Sequence, residues 1–230
     1  PKGTRGNDIK LIMQNAAEIL KGHPINVERL NDGKKEANSI WLWGQGIKPQ
    51  ITPLTQKFGL AGAMISAVDL LKGIGVYAGL KIINVKGATG YTDTNYEGKA
   101  QAALDALKFM EFVFVHLEAP DEMGHEGNAE GKIQAIEAFD ERIAGVILNN
   151  IGVFGDYRIL VLSDHPTPLD LKTHVVDPSP FAVLSSHKEE NKASGVPFNE
   201  FTAKASGIFV SPGHLLMEKF IHDWRAFIAS

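Results

Sequence analysis

An α/β fold, with a mainly parallel sheet and helices on both faces, is predicted by three features of this chain. Short apolar runs alternate with stretches of helical periodicity almost from end to end. Several of those runs are continuously apolar rather than alternating, the pattern of strands buried on both faces. Two of them lead directly into acids and histidines, and open α/β sheets place their ligand sites beyond the carboxyl ends of strands.

In chain order, Asn7 to Lys21 comes first and carries Ile9, Ile12, Met13, Ala16, Ile19 and Leu20 at helical spacing, with Asn7 as cap and Gly22 and Pro24 as terminators. Pro24-Ile25-Asn26-Val27 reads as a short edge segment. The polar turn Asn31-Asp32-Gly33-Lys34-Lys35 has no hydrophobic content and is the expected domain boundary. Ser39-Ile40-Trp41-Leu42-Trp43 reads as a buried strand closed by Gly44-Gln45-Gly46. Ala63 to Ser66 is a strand feeding a helix over Ala67 to Val76, and Lys81 to Val85 is the next strand. Thr92-Asp93-Thr94-Asn95 offers caps for a helix from Tyr96 to about Met110. Phe112 to Leu117 is the strand that delivers Asp121 and His125. Asn128 starts the longest helix, with an apolar stripe of Ile133, Ile136, Phe139, Ile143, Val146 and Ile147. Tyr157 to Leu162 delivers Asp164 and His165, and Phe181 to Leu184 is one more strand. Ser185 to Gly195 is polar and is expected to be a surface loop. Ser211 or Pro212 opens a terminal helix with Leu215, Leu216, Phe220, Ile221 and Trp224 on its apolar side.

Composition narrows the function. With 230 residues, 44% hydrophobic and 22% charged, the chain can bury a sizeable core. A formal net charge of -4 argues against a general nucleic-acid binder. The lack of cysteine removes disulfides, thiolate metal sites and cysteine nucleophiles, and fits a reducing cytoplasm. No apolar run approaches the roughly 20 residues of a membrane span. Pro1 to Gly6 lacks the apolar core of a signal peptide and an initiator Met, so the chain is expected to begin inside a longer gene product or after processing.

The chemistry concentrates in two stretches. Asp121 and His125 are four residues apart beyond a strand, and a carboxylate and imidazole so placed on a loop can wrap one cation, with Gly124 relieving crowding against the ion. Taken alone, the pair reads equally well as a helix cap and a surface histidine. Asp164 and His165 are adjacent, so they reach one metal only from an irregular turn, which Pro166 and Pro168 favour. His174 adds a ligand from a loop. Two carboxylates and three imidazoles suit hard or borderline divalent metals. His116 reads as a core or near-site histidine, and His23, His187, His214 and His222 as structural or solvated ones. Gly44-Gln45-Gly46 and Lys72-Gly73-Ile74-Gly75 lack the spacing of nucleotide loops. Lys72 remains a candidate phosphate contact, against the commoner reading of a solvated helix lysine.

Pro120-Asp121-x-x-Gly124-His125, Ser163-Asp164-His165, and His174 with Asp177-Pro178-Ser179-Pro180-Phe181 together resemble the metal core of cofactor-independent phosphoglycerate mutases, members of the alkaline phosphatase superfamily. Trp41 to Gly46, Ile65 to Gly73, Gly87 to Gly90 and Asp93 to Tyr96 are similar to the archaeal-type branch, which includes bacterial members proposed to act as homoserine kinases. The resemblance runs from about Asn38 to the C-terminus. It implies a partial alkaline-phosphatase-like core over 35–230, with 1–34 as the tail of a smaller inserted domain.

It also implies two divalent ions, manganese or else magnesium, cobalt or zinc. Asp121, His125 and His174 would hold one, and Asp164 and His165 part of the second, whose site is incomplete in this chain. The implied activity interconverts 3-phosphoglycerate and 2-phosphoglycerate through a phosphoserine, as a step of glycolysis. The nucleophilic serine belongs to an N-terminal section with no match here, so the chain alone is expected to be inactive, and that section is an expected partner beside a small phosphorylated substrate. Homoserine phosphorylation, phosphomonoester hydrolysis, and a non-catalytic metal-binding fragment are the alternatives. Apolar surface bared by the missing section would favour association into oligomers.

Overall fold

The computed structural model of the chain describes residues 2–42, 44, 46–191 and 195–229. They form two compact units, Pro1–Pro49 and Gln50–Ser230.

The first unit holds helix α1 (Gly6–Leu20) and helix α2 (Pro24–Asn31). Pro24 therefore starts a helix where the sequence suggested an edge segment. Proline costs nothing in the first turn, where its missing N–H has no helical partner, and the His23 ring accepts from the Ile25 N–H. Buried Asn26 organises the unit. Its amide donates to the Leu20 and Ala37 carbonyls at 2.9 and 3.0 Å and accepts from the Ala37 N–H at 2.9 Å. The strand expected over 39–43 is not formed among the described residues, and Trp41 is 79% exposed. No strand of this unit exists among the described residues for it to pair with, and an unpaired strand leaves its backbone groups without partners. Trp43 and Gln45 of that prediction lie outside the described residues.

The second unit opens with helix α3 (Leu54–Phe58), then strand β1 (Gly62–Ile65), helix α4 (Asp69–Tyr77), strand β2 (Lys81–Ile83), helix α5 (Tyr96–Leu107) and strand β3 (Phe112–Val115). The sheet is parallel with order β2-β1-β3, and α4 and α5 are its crossovers. Every residue of β1 is buried, as expected of a central strand. The core gathers Met64, Ala78 and Leu80 with Leu54, Leu71, Ile82 and Phe112. At Gly62 an added Cβ would sit 2.7 Å from Leu80 and 3.0 Å from Phe112, so the close approach of β1 to its neighbours requires glycine.

After β3 come helix α6 (Ala119–Glu126), helix α7 (Ala129–Phe139), a π-helical turn (Asp140–Ala144) and helix α8 (Gly145–Asn150). Asn128 caps α7 by accepting from the Gly131 N–H at 2.9 Å, as its sequence position suggested. The expected apolar stripe does not stay on one face. The π turn inserts an extra residue and rotates α8 relative to α7. Ile143 is buried whereas Ile133 and Ile136 are 58% and 50% exposed.

Strand β4 (Arg158–Leu162) and strand β5 (Phe181–Ser185) form a separate antiparallel pair. This corrects the expectation that the Asp164 segment leaves the same sheet as the Asp121 segment. Arg158 anchors the pair, donating to Glu190 at 2.8 Å and to the Phe220 carbonyl. Glu190 is buried, so the polar stretch after β5 is not simply a solvated loop, and its residues 192–194 lie outside the described residues. Helix α9 (Glu200–Ala205), helix α10 (Leu216–Glu218) and helix α11 (Trp224–Ala229) complete the unit, and the Trp224 indole donates to the Glu190 carbonyl at 3.3 Å. No helix of the described chain is long and apolar enough to cross a membrane.

Candidate metal centre

Asp121 and His125 lie on α6, not on a loop as the sequence suggested. Pro120 at the start of the helix and left-handed Gly127 at its end bound it to eight residues. Positions four apart share one helical face, which brings His125 Nε2 to 3.2 Å from Asp121 Oδ2. The second arm is the loop after β4. It places His174 Nε2 3.0 Å from His125 Nε2 and 3.4 Å from Asp121 Oδ1. Donor atoms about 2.1 Å from a common ion lie about 3.0 to 3.4 Å from one another. Asp121, His125 and His174 therefore fit one divalent cation, and their donor atoms form a compact group.

The tautomers support the fit. His125 Nδ1 lies 3.0 Å from the Lys172 carbonyl, which can only accept, so Nδ1 carries the proton. Nε2 of the neutral ring is then a bare lone pair facing a carboxylate. Two acceptors so placed need a donor or a cation beside them: the N–H of His174 Nε2 at 3.0 Å, a second proton on the ring, or a metal ion. The Lys172 carbonyl also raises the His125 pKa, with the nearby acids adding to it.

Asp164 and His165 leave β4 through bends, as an adjacent pair sharing one target must. His165 Nε2 lies 3.4 Å from Asp164 Oδ2 and its Nδ1 3.9 Å from Asp121 Oδ1. Its ring stacks on His174 with centroids 3.7 Å apart. Asp164 and His165 thus adjoin the Asp121, His125 and His174 group through the His165 ring. Lys72, the candidate phosphate contact, has its ammonium 3.1 Å from Asp69 within α4.

Three residues were missed in the sequence. Buried Thr167 donates its hydroxyl proton to Asp121 Oδ1 and lies 3.3 Å from His165 Nδ1, joining both ligand pairs. Lys172 donates to the Glu126 carbonyl at 2.8 Å, closing the C-terminal end of α6. Glu118 precedes α6 with its carboxylate within 4.8 Å of those of Asp121 and Glu122. Burial, then Asp121 and Asp164, push its pKa up. Only the place of Thr167 between Pro166 and Pro168, two residues after His165, could have flagged any of them.

Gly124 also has a role other than the one expected. An added Cβ would lie 2.7 Å from the Thr167 carbonyl and 2.9 Å from Lys132 Nζ, which itself donates to that carbonyl at 2.8 Å. The glycine admits the opposing backbone rather than the ion. At Gly127, with φ +72, a Cβ would meet Lys172 at 2.5 Å. The loop after β4 is pressed against α6 at two glycines about one helical turn apart.

A model of the metalloenzyme superfamily matches residues 15–220. A protein of Geobacter sulfurreducens named as a probable 2,3-bisphosphoglycerate-independent phosphoglycerate mutase is 50% identical over 221 residues, 96% of this chain and 55% of that protein. The 2,3-bisphosphoglycerate-independent phosphoglycerate mutase of Methanosarcina acetivorans is 54% identical over 184 residues, 80% of this chain and 46% of the relative. The chain spans about half the length of the curated relatives it matches. Among solved structures, a Pyrococcus horikoshii protein matches with TM-score 0.75 and 30% identity over 86% of this chain and 51% of that one. The cofactor-independent phosphoglycerate mutase of Thermoplasma acidophilum shares the fold, with TM-score 0.55 and 22% identity over 93% of this chain and 50% of that one.

Proposed function

Because this chain belongs to the metalloenzyme superfamily, we propose that it is the metal-holding portion of a 2,3-bisphosphoglycerate-independent phosphoglycerate mutase, interconverting 3-phosphoglycerate and 2-phosphoglycerate. The observation that carries the reading is the meeting of Asp121, His125 and His174, with the two histidines 49 residues apart, in a chain half identical to proteins of that name. In this reading those three hold one divalent ion, manganese or else magnesium, cobalt or zinc. Asp164 and His165 contribute to a second. Divalent ions at this rim would offset the charge of a phosphoryl group during in-line transfer.

The chain's own residues do the rest of the site's work. The Lys172 carbonyl fixes the His125 tautomer so that its lone pair faces inward. Thr167 holds Asp121 in place by donating its hydroxyl proton to the carboxylate. The serine that takes and returns the phosphoryl group is assigned to the part of such a mutase that this chain does not span.

Calorimetric titration of the chain with manganese tests the reading. One tight site is expected, weakened at least tenfold by His125→Ala. Wild-type protein that takes up no ion, or an unchanged His125→Ala, refutes the assignment. Assay of a full-length protein carrying this chain, with 3-phosphoglycerate and separately with homoserine plus ATP, decides the substrate.

A further inference from the structure

The strand order β2-β1-β3 places the topological switch point between β1 and β3, where an open parallel sheet forms its ligand crevice. Three polar side chains outside the ligand set bridge that point. Ser66 directly follows β1 and is 4% exposed. Its Oγ accepts from the Val68 N–H at 3.0 Å, which leaves its own proton for His116 Nδ1 at 3.3 Å. His116 directly follows β3, and its backbone N–H continues the sheet by donating to the Ile65 carbonyl at 2.9 Å. With Nδ1 accepting, the ring proton sits on Nε2, which lies 3.1 Å from Glu118 Oε2. Burial lowers the His116 pKa, in keeping with a neutral ring of one tautomer. Beneath it, buried Lys99 donates to the His116 carbonyl at 3.2 Å.

With a neutral ring, the Glu118 carboxylate, which can only accept, sets the direction of the row: His116 Nε2 donates to it, and Nδ1 then accepts from Ser66. The carboxylate it ends on stands within 4.8 Å of Asp121, a metal-ligand candidate. A row of this kind costs the desolvation of Ser66 and part of that of His116 and Glu118, a cost that apolar packing would avoid.

We propose that Ser66, His116 and Glu118 are positioning residues for the divalent ion: Ser66 and His116 hold the Glu118 carboxylate at the rim of the Asp121, His125 and His174 cluster, where its charge strengthens cation binding without ligating the ion. The proposal rests on the metal assignment above and adds to it a group from the sheet edge. Outer partners of metal ligands commonly govern affinity by roughly ten- to a hundredfold.

Manganese titration of the chain tests it through affinity alone, with the metal-free thermal midpoint as control. Glu118→Gln keeps the shape and removes the charge, and about tenfold weaker binding is expected. The two amides at 116 separate positioning from packing. His116→Gln carries an N–H near the place of Nε2 and is expected to bind within about threefold of wild type. His116→Asn reaches only the Nδ1 place, loses the bond to Glu118, and is expected to bind about tenfold more weakly. Ser66→Ala is expected to fall between them. Glu118→Gln with wild-type affinity overturns the proposal, as do equal affinities for the two 116 variants. If either 116 variant fails to fold, Glu118→Gln decides alone. Wild-type protein that binds no manganese overturns the metal assignment and this proposal together. Wild-type binding with indifferent variants overturns the proposal only.

Discussion

At Gly124 two effects oppose each other, and their sizes predict the outcome. Alanine in a helix is favoured over glycine by about 1 kcal/mol. Against that, the new Cβ would press on the Thr167 backbone at 2.7 Å, and forced overpacking costs typically about 1–3 kcal/mol. A backbone atom cannot rotate away, so Gly124→Ala is expected to destabilise by about 1 kcal/mol and to weaken manganese binding roughly tenfold through displaced Thr167. Denaturant titration and calorimetry read both numbers, and a stabilised variant would show the loop free to move.

Lys99 predicts a pH dependence. Burial lowers its pKa from the usual 10.5 to about 8. Below pH 8 both folded and unfolded chains carry the proton, and the cost of the buried charge is fully present. Between about pH 8 and 10.5 the folded chain sheds the proton while the unfolded chain keeps it, so stability from this group rises with pH, by up to about 3 kcal/mol. Denaturation midpoints at about pH 7.5 and 9.5 should show Lys99→Met lacking that rise. The candidate ligands were legible in the sequence because each is a carboxylate or imidazole that follows an apolar run. Thr167 and Glu118 were not, since a threonine or glutamate acquires its meaning only from partners tens of residues away.

At the scale of elements, β1, β3 and β4 fall within about two residues of their apolar runs, and α5 and α7 begin at the caps read from Asn95 and Asn128. What periodicity could not supply was partnership. Nothing in Arg158 to Leu162 says that its neighbour is β5 rather than β3. Nothing in the stripe from Ile133 onward announces a π turn, because an inserted residue changes phase without changing composition. Trp41 and Leu42 mislead for the same reason, since an apolar run becomes a strand only where an edge awaits it. The exposed face of α7 carries its own prediction. Replacing Ile133 and Ile136 by Gln removes apolar surface already in water, so stability should change by less than about 0.5 kcal/mol each. If that face drives association, sedimentation should show the double variant more monomeric than wild type.

At the scale of the whole molecule, the candidate metal groups found among the described residues lie in the second unit. The five ligand candidates all fall between residues 121 and 174. The approach of His125 to His174 closes a long loop of chain, and whatever joins those rings acts as a removable cross-link. Closing such a loop in the unfolded chain is entropically unfavourable, so an ion that binds only the folded form shifts the folding equilibrium in proportion to the logarithm of its free concentration. At about a hundred times its dissociation constant the gain is about 2.7 kcal/mol, and a chelator should take back an equal amount. The melting temperature of this chain would then serve as a gauge of the free ion around it.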